Sequence, residues 1–131
     1  MAERITPFLM FEGKAEEAMN FYVSLFPASR VESIERYGPE GPGAEGSVVR
    51  AAFVLRGQRL MCIDSPVSHR FSFTPSISLF VDCASEEEVD RLFAALSEGG
   101  EVMMELAAYP FARKFAWVAD RFGVSWQLSL A

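Results

Sequence analysis

The chain contains one histidine, His69, and two cysteines, Cys62 and Cys83. Neither cysteine belongs to a CxxC pair or stands at ligand spacing from the histidine, so no zinc pattern is present. Both fall in strand-like stretches, where a reduced core thiol is the expected state. Basic residues are also few: 12 Lys and Arg stand against 18 Asp and Glu, a formal charge of −6. With no basic patch interleaved with aromatics, a nucleic-acid partner is not expected. Long apolar runs are missing as well. Hydrophobic residues make up 50% of the chain and Phe occurs 12 times, yet charges interrupt every few positions, and a membrane span needs about 20 consecutive apolar residues. The opening "MAERITPF" lacks the basic start and apolar middle of a secretory signal, so the expected location is the cytoplasm.

What is present is a pattern that occurs twice. The run "ITPFLMF" reads as a strand interrupted at Glu12 and Gly13. Ala15, Ala18, Met19, Tyr22, Leu25 and Phe26 then recur at helical spacing until Pro27 stops them. "RVESIERY" alternates with period two, "GPEGPGAEG" is a loop, and "VVRAAFVL" joins "RLMCID" through Gly57 and Gln58 as a hairpin. After a linker over Ser65 to Pro75 the order restarts with the strand "SISLFVDC". Ser85 and Glu88 form a capping box, Val89, Leu92, Phe93 and Leu96 a buried stripe, and Gly99 and Gly100 end the helix. "EVMMEL", "KFAWVAD" and "SWQLSL" complete the second half. The chain is therefore two βαβββ units, at about residues 4–64 and 75–131, which at this length are expected to form one domain over 1–131.

Strand alternation assigns faces. Ile77, Leu79 and Val81 are expected against a helix, with Ser76, Ser78 and Phe80 opposite. Trp126, Leu128 and Leu130 likewise pack, leaving Ser125, Gln127 and Ser129. In the fourth strand Met61 and Ile63 are expected to pack, leaving Leu60, Cys62 and Asp64 on the other side.

Together, "AEEAMNFYVSLFP", "SEEEVDRLFAALSEGG" and "WVADRFGVSWQL" resemble the vicinal oxygen chelate superfamily, which includes glyoxalases, extradiol dioxygenases and bleomycin-resistance proteins. Within it the chain is similar to the PhnB-like branch, which carries the name 3-demethylubiquinone-9 3-methyltransferase. The resemblance implies an α+β fold of paired βαβββ modules, with helices on one face of curved mixed sheets, and a homodimer. It also implies a binding cleft on the sheet face away from the helices. Metal-dependent members take two ligands from each half. Carried across by spacing, those positions fall on Pro7, Cys62 or Asp64, Ser76 and Gln127, in place of His and Glu. Such a set lacks imidazole and has at most one carboxylate, so no metal and no cofactor are expected.

The candidate ligand-binding residues are Asp64, Ser76, Ser78, Gln127 and Arg50. The amide of Gln127 and the two hydroxyls could orient a ligand, although a solvated sheet face is polar for simpler reasons. Asp64 reads as a general base, a remaining ligand or a strand-ending turn residue. Arg50 would meet an anionic group or pair with a carboxylate on the sheet surface. His69 has no Ser or Asp partner at a recognisable spacing and reads as a loop residue; Cys62 reads as a structural thiol. The glycine-rich loop lacks GxGxxG and carries Glu40 and Glu45, which would repel phosphate. Three functions follow: a metal-free small-molecule binder; a lyase, isomerase or dioxygenase with an unusual metal site around Asp64 and Gln127; or the methyltransferase of the branch name. The last is disfavoured, because neither half offers the glycine-rich strand-to-helix turn that binds S-adenosylmethionine in the common fold.

Overall fold

The computed structural model of the chain describes residues 2–131. Its elements run β1 (Phe8–Phe11), α1 (Ala15–Leu25), β2 (Arg30–Arg36), β3 (Val48–Leu55) and β4 (Gln58–Asp64), followed by β5 (Leu79–Asp82), α2 (Glu86–Ser97), β6 (Glu101–Tyr109), β7 (Ala112–Ala119) and β8 (Ser125–Leu130). The βαβββ order thus occurs twice in an α+β chain. Two four-stranded mixed sheets result, ordered β1-β4-β3-β2 and β5-β8-β7-β6. In each, the first strand lies parallel to the last and the other pairings are antiparallel. The chain divides into two compact units, one ending at His69 and the other running from Arg70 to Ala131. Among the described residues no helix is long and apolar enough to cross a membrane.

In the first unit, Ala15, Ala18, Met19, Tyr22 and Leu25 are the buried stripe of α1. The Tyr22 ring stacks on Phe53 at 6.5 Å between centroids, which identifies the face of the sheet that α1 covers. Phe53 pairs with Leu60 and Ala51 with Cys62, so these four share that face, and all are at most 1% exposed. This reverses the expectation for β4: Leu60, Cys62 and Asp64 point to the helix, while Met61 and Ile63 are half-buried on the other side. Because "LMCI" is apolar at both parities, alternation carries no signal there. The polarity of Asp64 pointed the wrong way.

The β3–β4 turn is Arg56 and Gly57, one position earlier than expected, with φ of 50° and 89°. Two positive φ values mark the type I′ pattern, whose twist matches that of the flanking strands.

Asp64 is 3% exposed. Its Oδ1 accepts the backbone N–H groups of Gly13 and Ala15 at 2.8 and 2.9 Å, and its Oδ2 accepts that of Val48 at 2.9 Å. Lys14, at the N-cap of α1, makes no side-chain cap. A carboxylate from β4 therefore supplies the first turn of α1 with both an acceptor and a negative charge, each favourable at a helix N-terminus.

In the second unit, α2 is capped from within its own sequence. Ser85 Oγ accepts the Glu88 N–H at 3.2 Å, and Glu88 Oε1 accepts the Ala84 N–H at 2.7 Å. Val89, Leu92 and Leu96 are buried, and Phe93 is half-buried. Lys114 on β7 reaches Asp90 of α2 at 2.7 Å, which marks the covered face of this sheet. Leu130 pairs with Lys114, Leu128 with Ala116 and Trp126 with Val118 on that face. All but the half-buried Lys114 are buried. Ile77, expected beside them, is 74% exposed, because β5 begins only at Leu79 and is shorter than "SISLFVDC" suggests. The turn before β8 is held by Asp120, whose Oδ1 accepts from the N–H groups of Phe122 and Val124, and whose Oδ2 accepts Trp126 Nε1–H at 2.9 Å.

Candidate functional site

The second sheet turns its other face away from α2, and the residues there alternate with the buried set. Gln127 lies between Phe80 on β5 and Trp117 on β7, with adjacent strands about 4.8 Å apart. Ser129 pairs with Phe115 on the same face. Phe115 meets Tyr109 and Phe111 edge-on at 5.8 and 4.9 Å. Phe80 is 55% exposed, and Gln127 and Trp117 are half-buried.

Polar groups on this face are linked. Trp117 Nε1–H donates to Ser125 Oγ at 2.9 Å, Ser125 Oγ lies 2.6 Å from Ser78 Oγ, and Gln127 Nε2 donates to Ser78 Oγ at 3.3 Å. The sequence placed Ser78 and Gln127 on one face, and the structure brings them into contact. It gave no reason to single out Ser125 or Trp117. Ser125, expected to be open, is 2% exposed. A Trp ten residues before Gln127 becomes its neighbour only once the β7–β8 register is known.

The other candidates stand elsewhere. Ser76 precedes β5, is exposed and bonds Thr74 at 2.8 Å. Arg50 is exposed and lies opposite Glu35 in register. Among the described residues it forms no ion pair within 4 Å. Asp64 and Cys62 lie on the α1 side of the first sheet. Burial pushes the Cys62 thiol up to about 12, with the charge of Asp64 adding to the effect, so the thiol keeps its proton at neutral pH. Pro7 offers no side-chain donor; its carbonyl accepts Met61 N–H at 2.9 Å. Among the described residues no three His, Cys, Asp or Glu side chains gather as a metal site.

Two further features differ from the sequence reading or extend it. His69 does have a serine partner: Ser65 Oγ lies 2.8 Å from its Nε2, and its backbone N–H donates to Glu12 Oε2 at 3.2 Å. A four-residue spacing inside a loop gives no signal of such contact. The glycine-rich loop closes on Tyr37. A side chain at Gly43 would run into the Tyr37 ring, so that glycine admits an aromatic ring.

A family profile described as 3-demethylubiquinone-9 3-methyltransferase matches residues 3–129. Among solved structures, a PhnB protein from Bacillus cereus is 58% identical with a TM-score of 0.96, covering 98% of this chain and 100% of that one. A protein from Pseudomonas aeruginosa is 30% identical with a TM-score of 0.85 over 98% of each chain. FosX from Listeria monocytogenes, a fosfomycin resistance protein of the vicinal oxygen chelate type, is 10% identical with a TM-score of 0.58. That match covers 100% of this chain and 94% of FosX, and the likeness is one of fold.

Proposed function

Because this chain belongs to the 3-demethylubiquinone-9 3-methyltransferase family and has the vicinal oxygen chelate fold, we propose that it binds a small molecule without a metal. The site is the face of the second sheet that carries Ser78, Gln127, Trp117 and Phe80. The observation that carries this reading is the linked polar group set between two aromatic rings, half-buried on the face away from α2. Polar atoms that fix orientation among apolar ones that supply contact area are the usual make-up of a ligand site.

The ligand positions implied by the superfamily do not fit a divalent transition metal. Pro7 has no donor, Asp64 has committed both oxygens to backbone N–H groups, the Cys62 thiol is protonated, and Ser76 and Gln127 are neutral. Zinc and its neighbours are held by imidazole, thiolate or carboxylate. Nor does either βα junction offer the open glycine-rich turn that seats the nucleoside of S-adenosylmethionine in the common fold: Asp64 fills the first turn of α1, and Ser85 caps α2.

Phe8 and Phe80 are 51% and 55% exposed on sheet faces away from the helices, which supports pairing with a second copy of the chain. One preparation tests both parts. Protein purified without chelator should carry no stoichiometric transition metal by elemental analysis and should sediment as a dimer. Stoichiometric metal that disappears in Gln127→Ala would reverse the metal-free reading in favour of a lyase, isomerase or dioxygenase, and a monomer mass would remove the dimer. Stoichiometric calorimetric binding of S-adenosylmethionine would restore the methyltransferase.

A further inference from the structure

The direction of the hydrogen-bond chain on the second sheet identifies the chemistry it meets, and this step rests on the binding site proposed above. An indole N–H can only donate, so Ser125 Oγ accepts from Trp117. Ser125 is 2% exposed and its other side-chain partner is Ser78, at 2.6 Å. A buried hydroxyl proton left without an acceptor is costly, so Ser125 donates to Ser78. Ser78 then accepts from Ser125 and from Gln127 Nε2, and its own proton faces out of the chain. Exchanging the N and O of the Gln127 amide moves this end by one link only: Ser78 would donate to the amide oxygen, and the NH₂ would present its protons outward. In both arrangements the chain starts at an obligate donor and offers an outward hydrogen at its end, from Ser78 in the first and from the Gln127 NH₂ in the second; in the first the Gln127 carbonyl oxygen is open beside it.

The hydrogen common to both arrangements is complemented by an acceptor oxygen, and the surrounding charge decides which kind. Asp82 pairs with Ser129 and Glu101 with Ala119, one row to either side of the Phe80–Gln127–Trp117 row. Lys114 is held on the α2 side by Asp90. Arg113 lies four residues from Trp117 along β7, about 13 Å away, which exceeds the screening length of about 10 Å at 0.1 M salt. The nearest formal charges in register are therefore both negative. We infer that this site takes a neutral planar aromatic carbonyl compound, an aryl amide, lactam or ketone. Its oxygen accepts from the Ser78–Gln127 end, and its ring lies against Phe80 and Trp117. The corresponding carboxylate is disfavoured.

Matched probes test this on the full chain: 1-naphthamide, 2-quinolone and 1-naphthoate, followed by the proton–nitrogen NMR signals of the two indole N–H groups, assigned with Trp117→Phe. The Trp117 signal should move with the amide and the lactam while the Trp126 signal, bonded to Asp120, stays. The naphthoate should bind about tenfold more weakly, or worse. Ser78→Ala, which also takes the acceptor from the Ser125 hydroxyl and so is read on protein still folded at the assay temperature, should weaken naphthamide binding about fivefold, and Ser78→Thr, which retains a hydroxyl, should keep it. Naphthoate binding as tightly as naphthamide at Trp117 would overturn the neutral-carbonyl class and leave the site standing. No movement of Trp117 with any probe up to about 10 mM, or movement of Trp126 alone, would overturn both.

Discussion

Cys62 and Asp64 stand two residues apart on β4 and point the same way, beneath α1. Their neighbourhood makes the thiol harder to ionise: burial raises it from 9.0 to about 12, and the nearby carboxylate contributes in the same direction. An acid whose folded value lies above its unfolded one leaves stability intact below the unfolded value. Above it, the unfolded chain releases a proton that the folded chain keeps, so stability falls between pH 9 and about 12. Cys83, raised to about 11, acts in the same sense. In urea denaturation the midpoint should therefore drop between pH 8 and pH 10.5, less steeply in Cys62→Ala, and native Cys62 should resist thiol reagents at pH 8. An equal slope in the variant would mean that this thiol does not titrate as its burial requires. The sequence identified Cys62 as structural, and the physical basis was simple: an apolar strand with no cation nearby.

Helices α1 and α2 solve one problem, their unpaired first-turn N–H groups, in two ways. Ser85 is the N-cap of α2 and Glu88 stands in its first turn, and the capping box was legible three residues apart. The cap of α1 comes from Asp64, 49 residues from Ala15, and nothing local announces it. This is why the helices and most strands could be read from spacing while the face of β4 could not. Removing Asp64 leaves three N–H donors, two of them buried, without their acceptor, so Asp64→Ala should cost about 3 kcal/mol. Ser85→Ala should cost about 1 kcal/mol. Chemical denaturation of the two variants measures both, and comparable losses would contradict the unequal roles assigned here. The same contrast separates the site residues. Ser78 and Gln127 were accessible from period-two alternation in β8 and in the residues leading into β5, but Trp117 depended on β7–β8 register, which sequence alone does not supply.

On the scale of the whole chain, the repeated βαβββ order was legible because each half keeps its own hydrophobic periods, even where individual turns shift by a residue. The site was only partly legible, since it depends on which residues become neighbours across strands. The unequal caps have a consequence in time. During synthesis the segment of α1 emerges first, yet its N-terminal N–H groups have no acceptor until β4 has been made and has paired with β3. The segment of α2 carries its cap with it. A helix that depends on distant chain must wait for loop closure, whereas a locally capped one is free to form early. Pulse-labelled hydrogen exchange during refolding should show α2 amides protected ahead of those in α1, the reverse of the order in which a ribosome delivers them.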